Sequence, residues 1–492
     1  MSSTPIKFNL RDFGARGDGE NMDTAALHKV IHACVEAGGG TVVVPAGTYR
    51  VGPFELFSHV TLFLESGAVI LASDRLEDYP LEDSSVSMES QRAGLVTAHH
   101  AEDVAIVGRG TIDGNGFAFV DHERIKMFEP GADYDPSYTR QGTAYMQPSS
   151  AIRHGPMDHG ERPGNLLRFD GCYNVLLEGV TICNSPTWTV HIYQCEVVTI
   201  RGARIHSQGS DWRVPNDDGI DLRESKKIHI SDCDINTGDD CIAVFGSQKI
   251  TVTNCTLSSR SSGIRVAYDQ GQTCDCTFNN LVIHSNRGLG VFVRGDGSVE
   301  NILFSDIVIR TDLITGHWWG KGEPIHVSAL AGVGSFQALG QIRDVRFINI
   351  LAESENGIVL YGSPESILRG ILLENVSIRL KSSPLQAAYG GNFDLRAARD
   401  VSHALFAHDI PGLYACYCDG LTVHNFRLDG EAVLPEYFRK GLRCEHFTDL
   451  EIQGYHANPT LPVERTAIVL QDGHGMNVEA GKALVEMINA KL

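Results

Sequence analysis

A chain of 492 residues with a formal net charge of −20 and 21% charged residues is longer than one ordinary globular core. It is also too acidic to wrap a polyanion such as nucleic acid, which needs a concentrated basic surface. Hydrophobic residues at 42% and 51 glycines spread along the chain describe a folded protein and exclude disorder.

The start, MSSTPIKFNL, has neither the basic opening nor the apolar core of a secretory signal, and no later stretch approaches a membrane span. The expectation is therefore a cytoplasmic protein, secreted if a leader was removed, with no nucleic-acid or membrane partner. The twelve cysteines lack paired metal spacing, and Cys233, Cys255 and Cys276 fall inside repeat strands, so reduced, buried thiols are expected.

In chain order, Asp23–Ala37 reads as an amphipathic helix with Leu27, Val30, Ile31 and Val35 on one side, ended by Gly38-Gly39-Gly40. TVVVPAGTY then reads as the first strand and turn, and a helix at this point would cap the end of a repeat stack. Residues 116–163 and 311–340 break the period and are rich in Gly, Pro, His and aromatics, as loops around a cleft would be.

The repeats themselves are IHISDCDI (228–235), ITVTNCTL (250–257), CTFNNLVI (276–283), ILFSDIVI (302–309), VRFINI (345–350), ILLENVSI (371–378) and LTVHNFRL (421–428). Each alternates apolar residues, then places Asp or Asn before a further apolar residue. Ile230, Val252, Phe278 and Phe304 step by 22, 26 and 26 residues, one coil apiece. A lone short strand cannot bury its apolar side, whereas coils stacked about 4.8 Å apart share one core and pair every backbone group. The Asn and Asp turns can bond local backbone and stack as a ladder. The predicted fold is all-β: a right-handed parallel β-helix in one domain over 1–492, with an N-terminal cap to residue 60 and a C-terminal cap or tail at 430–492.

A second strand series carries polar groups: GIDLR (219–223), CIAVF (241–245), GIRVA (263–267) and GVFVR (290–294). Alternation turns Ile220/Leu222, Ile242/Val244, Ile264/Val266 and Val291/Val293 inward. Two columns then face solvent: Asp221, Ala243, Arg265, Phe292, and Arg223, Phe245, Ala267, Arg294. The position before the strands holds Asp218, Asp240 and Ser262. Asp218 and Asp240 are thus expected on one solvent-facing surface, roughly 5 Å apart at the backbone, with Asp239 projecting from another angle of the turn. Crowded carboxylates repel, so at least one has a raised pKa and serves as an acid beside ionised bases. Coil capping or calcium binding by the same aspartates stays open on spacing alone.

The motifs FNLRDFGARGDGENMDTAALHKVIHAC, GGGTVVVPAGTY, GTIDGNG (110–116), NSPTW (184–188), PNDDGID (215–221) and NTGDDCIAV (236–244) together resemble glycoside hydrolase family 28, the pectinase or polygalacturonase-like β-helix hydrolases. The resemblance runs from about residue 8 to residue 430, and the ordered series is more specific than any single motif. It implies hydrolysis with inversion and no metal or cofactor. Asp239 would protonate the leaving oxygen, while Asp218 and Asp240 would share and activate the attacking water.

The chain also departs from the family. Ser261-Ser262-Gly263 stands where polygalacturonases carry Gly-His-Gly, and Phe292-Val293-Arg294 replaces their Arg-Ile-Lys, which puts ordinary polygalacturonan in doubt as the substrate. Arg265, with Arg223 and Arg294, would suit a carboxylate clamp, and pairing with a neighbouring Asp such as Asp221 remains the alternative. His191 in TWTVHIY is outward by alternation, at the cleft or as a hydrogen-bonded structural residue.

Trp188, Trp212, Trp318 and Trp319 are the aromatic candidates for stacking on sugar, with Trp318-Trp319 in GHWWGKGEP preferred. Long loops favour exo action on short oligosaccharides. The partner is then an oligosaccharide or polysaccharide, with homo-oligomerisation left open. A parallel β-helix polysaccharide lyase, with Arg265 as base and aspartates holding calcium, is the nearest rival reading. A glycosyl- or fructosyl-transferring enzyme and a non-catalytic carbohydrate-binding β-helix follow it.

Overall fold

In the computed structural model, residues 6–82, 90–126, 134–146, 155–207, 213–334 and 336–491 are described. They fall into two compact units. The first is Met1–Lys126, Pro156–Ala243 and Ser247–Thr256, and the second is Met127–Gly155, Val244–Gly246 and Leu257–Leu492.

The first unit is built from parallel strands that pair at coil spacing. Val42 stands beside Leu62, Leu62 beside Ile106, and Ile106 beside Leu177. The column continues through Ile200 and Ile230 to Val252. All seven side chains are buried, because each strand turns alternate residues inward and the next coil covers them. Helix Thr24–Glu36 buries Leu27, Val30, Ile31 and Cys34. Val35, assigned to the same side from its spacing, is instead 37% exposed, since it lies past the edge of the stripe that faces the strands.

The second unit repeats the arrangement with larger side chains. Phe278, Phe304 and Phe347 occupy one register position on three coils, followed by Leu373. Their rings stack at 4.8 and 5.0 Å between centroids and are fully buried. Within the period-breaking segment 311–340, Ile325–Ala329 forms a strand paired with Leu289–Val293. Parallel strands continue through Leu442–Gln453, Ile468–Gln471 and Val485–Ile488.

The turns explain the recurrent Asn and Asp. Asp306, Asn349, Asn375 and Asn425 all adopt positive φ, between 51° and 59°, a region these side chains tolerate better than most. Their side chains form a ladder: Asn349 Nδ2 donates to Asp306 Oδ1 at 2.9 Å, Asn375 to Asn349 at 3.0 Å, and Asn425 to Asn375 at 3.1 Å. All twelve cysteines are buried. Among the described residues, no helix is long and apolar enough to cross a membrane.

The phenylalanine column is fully buried and stacked ring on ring. Replacing its middle ring, Phe304→Ala, should cost about 3–5 kcal/mol of unfolding free energy, read from the denaturant midpoint. A loss below about 1 kcal/mol would show that neighbouring coils close the gap.

Candidate active site

Three carboxylates meet in the first unit. Asp218 precedes strand Ile220–Arg223, and Asp239 and Asp240 precede Ile242–Phe245 one coil later. Backbone bonds hold the coils in register: Thr189 N–H donates to the Asp218 carbonyl at 2.7 Å, and Gly219 N–H to the Asp240 carbonyl at 2.9 Å. Gly219 has no substitute here, since a Cβ would sit 2.5 Å from the Cys241 carbonyl oxygen and 2.7 Å from Ile235 Cγ2. One oxygen from each of Asp218, Asp239 and Asp240 lies within 4.8 Å of the others. That spacing lets a water bond two carboxylates at once, and it would also let the group grip a divalent cation.

The three aspartates were expected to face solvent, and they do not. Asp218 is 2% exposed, Asp239 7% and Asp240 3%. The other outward positions of the first unit are covered as well. Asp221 and His191, side by side on adjacent coils, are both fully buried. Asn165 Nδ2 donates to His191 Nδ1 at 3.0 Å, and the Trp188 ring meets the imidazole edge-on. Burial pushes the His191 pKa down to about 3, so the ring is neutral and is no acid at working pH. Arg223 is half-buried. Side chains remote in sequence pack against part of this face. Arg168, beside His191 in register, reaches Glu82 at 2.7 Å and Asp170 at 2.6 Å.

Two residues of this region gave no signal as functional groups. Arg162, 2% exposed, donates to the Pro186 and Pro215 carbonyls at 3.1 and 2.6 Å and to Asn216 Oδ1 at 3.0 Å. It ties the NSPTW loop to the turn that leads into Asp218. Asp217, 1% exposed, accepts from Ser207 Oγ at 2.7 Å, Gly238 N–H at 2.8 Å and Asp239 N–H at 3.0 Å. Burial raises its pKa to about 7, and the charge of Asp239 adds to the rise against the hydrogen bonds it accepts. The doublet Asp217-Asp218, 22 residues before Asp239-Asp240, is the one hint the sequence held.

The second unit carries a separate, densely charged interior. Asp394 is fully buried and accepts both Arg396 Nε and Nη2 at 2.8 Å, Arg287 Nη2 at 3.3 Å and Gly320 N–H at 2.6 Å. Arg294 and Phe292, expected to face solvent, are each 2% exposed. Arg294 spends its donors on the carbonyls of Val293, Ser328 and Leu395 and on Ser328 Oγ. The Phe292 ring lies 4.9 Å from the Arg287 guanidinium and 5.2 Å from that of Arg294. The Asp394–Arg396 segment, distant in sequence, covers these positions. Ser262 is buried, and Arg265 is half-buried over the rings of Phe245 and Tyr268. Trp318 is 2% exposed near Arg260. Trp319 is half-buried with Arg396 against its ring. Trp212 lies outside the described residues.

Residues 34–311 match the model of glycosyl hydrolases family 28. The chain belongs to this family. Members are glycosidases, and so is this chain. An exo-poly-alpha-D-galacturonosidase of Dickeya chrysanthemi is 30% identical over 260 residues, covering 49% of this chain and 42% of its own. The crystal structure of an exopolygalacturonase from Thermotoga maritima is 24% identical, with a TM-score of 0.59 over 87% of this chain and 93% of its own. A family 28 exopolygalacturonase from Yersinia enterocolitica is 18% identical, with a TM-score of 0.61 over 100% of this chain and 79% of its own. These structures share the fold with this family 28 chain.

The raised pKa of Asp217 makes a prediction about stability. A carboxyl that keeps its proton to higher pH when folded than when unfolded contributes stability below 3.8. That contribution is lost as pH climbs through about 7. Asp217→Asn cannot ionise. From about pH 4 to about pH 8 the parent chain should therefore lose more of its denaturant midpoint than the Asn variant. Equal losses would show that this carboxyl is not buried as described.

Proposed function

We propose that this glycosidase hydrolyses a pectin-related oligosaccharide, with Asp239 as general acid and Asp218 and Asp240 as the pair that activates water. The observation that carries this reading is the meeting of three carboxylates from two consecutive coils within 4.8 Å. A water bonded to Asp218 and Asp240 attacks the anomeric carbon and leaves one proton on that pair. The glycosidic C–O bond breaks, its electrons go to the leaving oxygen, and that oxygen takes the proton of Asp239. The products are an alcohol and a new reducing end.

Pectic substrates are supported by relatives and structural neighbours named for galacturonan cleavage. The names of those proteins and the long period-breaking segments support exo action. Ser261-Ser262-Gly263 and Phe292-Val293-Arg294, where polygalacturonases resembling this chain differ, support a substrate other than plain polygalacturonan. Arg294 is committed to protein acceptors, and half-buried Arg223, on the strand that follows Asp218, is proposed to meet a substrate carboxylate. Attack by water from the side opposite the leaving group gives inversion. Carboxyl separations of about 6.5–9.5 Å are usual for inversion and about 5–5.5 Å for retention.

Pectic, rhamnose-containing and fructan-type oligosaccharides, assayed for reducing ends with and without chelator, test the proposal. Turnover should be indifferent to chelator, products should show no ultraviolet absorption from a new double bond, and Asp239→Asn should lower kcat by about 10²–10⁴-fold. An absorbing product whose formation chelator abolishes would replace hydrolysis by cation-dependent elimination. Unchanged turnover in Asp239→Asn would remove that residue from the mechanism.

A further inference from the structure

Asp217 takes no part in the reaction just described, yet both of its carboxyl oxygens accept hydrogen bonds. It is 1% exposed. Its Oδ1 accepts two successive backbone donors, Gly238 N–H at 2.8 Å and Asp239 N–H at 3.0 Å, and its Oδ2 accepts the Ser207 hydroxyl at 2.7 Å. Both backbone donors belong to the turn that presents Asp239, one coil beyond Asp217 itself. The same turn is held from its other side, where Thr237 Oγ1 donates to the Asp239 carbonyl at 2.7 Å. The Asp239 side chain in turn accepts from Asp240 N–H at 3.0 Å.

The backbone of Asp239 is thus fixed at its amide by Asp217 and at its carbonyl by Thr237. Its carboxylate is aimed by the residue that follows. A buried carboxyl is a costly way to hold a turn, because the site must satisfy every lone pair or forfeit the hydration it removed. A hydroxyl or a water would serve a turn that needed only loose support. What the carboxyl adds is a two-donor clamp on consecutive amides, with its own orientation set by Ser207.

We propose that Asp217 is a positioning residue for Asp239: it clamps the Gly238–Asp239 backbone so that the Asp239 carboxyl stands in reach of the leaving oxygen. This rests on Asp239 being the general acid. Misplacing an acid by about 1 Å can cost about 10²-fold in rate while leaving substrate binding nearly intact, so the effect falls on kcat. Asn at 217 retains Oδ1 as acceptor for both amides and turns an N–H toward Ser207 Oγ, which can accept it. Ala retains neither.

The experiment measures kcat, KM and thermal midpoint for Asp217→Ala, Asp217→Asn, Ser207→Ala and Asp239→Asn on the substrate found by the oligosaccharide screen. Asp217→Ala should lose about 10–100-fold in kcat with KM within about threefold, and Asp217→Asn should recover to within about fivefold of the parent. Ser207→Ala leaves the two-amide clamp in place and should lose about two- to fivefold in kcat, which tests the clamp independently of whether Asp217→Ala folds. The proposal is overturned if Asp217→Ala keeps its kcat while its thermal midpoint falls, which would make the residue structural only. It is likewise overturned if Asp217→Asn is as impaired as Asp217→Ala. Asp239→Asn separates this from failure of the underlying reading: a dead Asp239→Asn enzyme beside fully active Asp217 variants sinks the clamp alone, whereas an active Asp239→Asn enzyme sinks the acid and the clamp together.

Discussion

Coil-to-coil backbone hydrogen bonding is the constraint from which the rest follows. Once Gly219 N–H donates to the Asp240 carbonyl and Thr189 N–H to the Asp218 carbonyl, residues 22 apart in sequence become neighbours. No side chain has to bring them together. The register is rigid because a one-residue slip would turn every inward apolar residue of the affected coil to the other face. The buried column from Val42 to Val252 would then lose its continuity. The absence of a Cβ at Gly219 is part of the same constraint, as any larger residue would force apart the two turns that carry the carboxylates.

Where the strands supply register, segments outside the repeat supply environment. In the first unit Arg162, from the period-breaking segment 116–163, binds the Pro186 and Pro215 carbonyls, and Glu82 pairs with Arg168 beside His191. In the second unit Asp394 draws Arg396, Arg287 and the Gly320 amide onto one carboxylate. A buried charge is tolerable only when so fully partnered, and such a network fixes the segments that carry it. The interior of that unit is accordingly a scaffold of ion pairs and aromatic rings, in which Arg294, Phe292 and Trp318 are packing elements.

Much of this was legible in the sequence. Alternating apolar residues at 22–26-residue steps gave the parallel coils, and the Asn and Asp that follow them became the left-handed turn positions and their ladder. Asp218, Asp239 and Asp240 were brought together as the same period requires. Burial was not legible, because the covering groups are remote in sequence and obey no repeat. His191, Asp221 and Phe292 are outward positions by alternation, yet all three are buried in protein. Asp217 was passed over for a related reason. Beside Asp218 it reads as one more acidic turn residue, and only the position of the Gly238 and Asp239 amides one coil away reveals what its carboxyl is for.

The central claim is that Asp218 and Asp240 activate water directly against the sugar while Asp239 protonates the leaving oxygen. The tight spacing of their oxygens makes the stereochemical course the most discriminating observation. Proton NMR of the first product, followed from the moment of mixing and ahead of mutarotation, reads the configuration at the new reducing end. The account predicts the anomer opposite to that of the bond cleaved. Release of the same anomer would mean that one of the aspartates attacks the sugar itself, and the shared-water mechanism would be wrong.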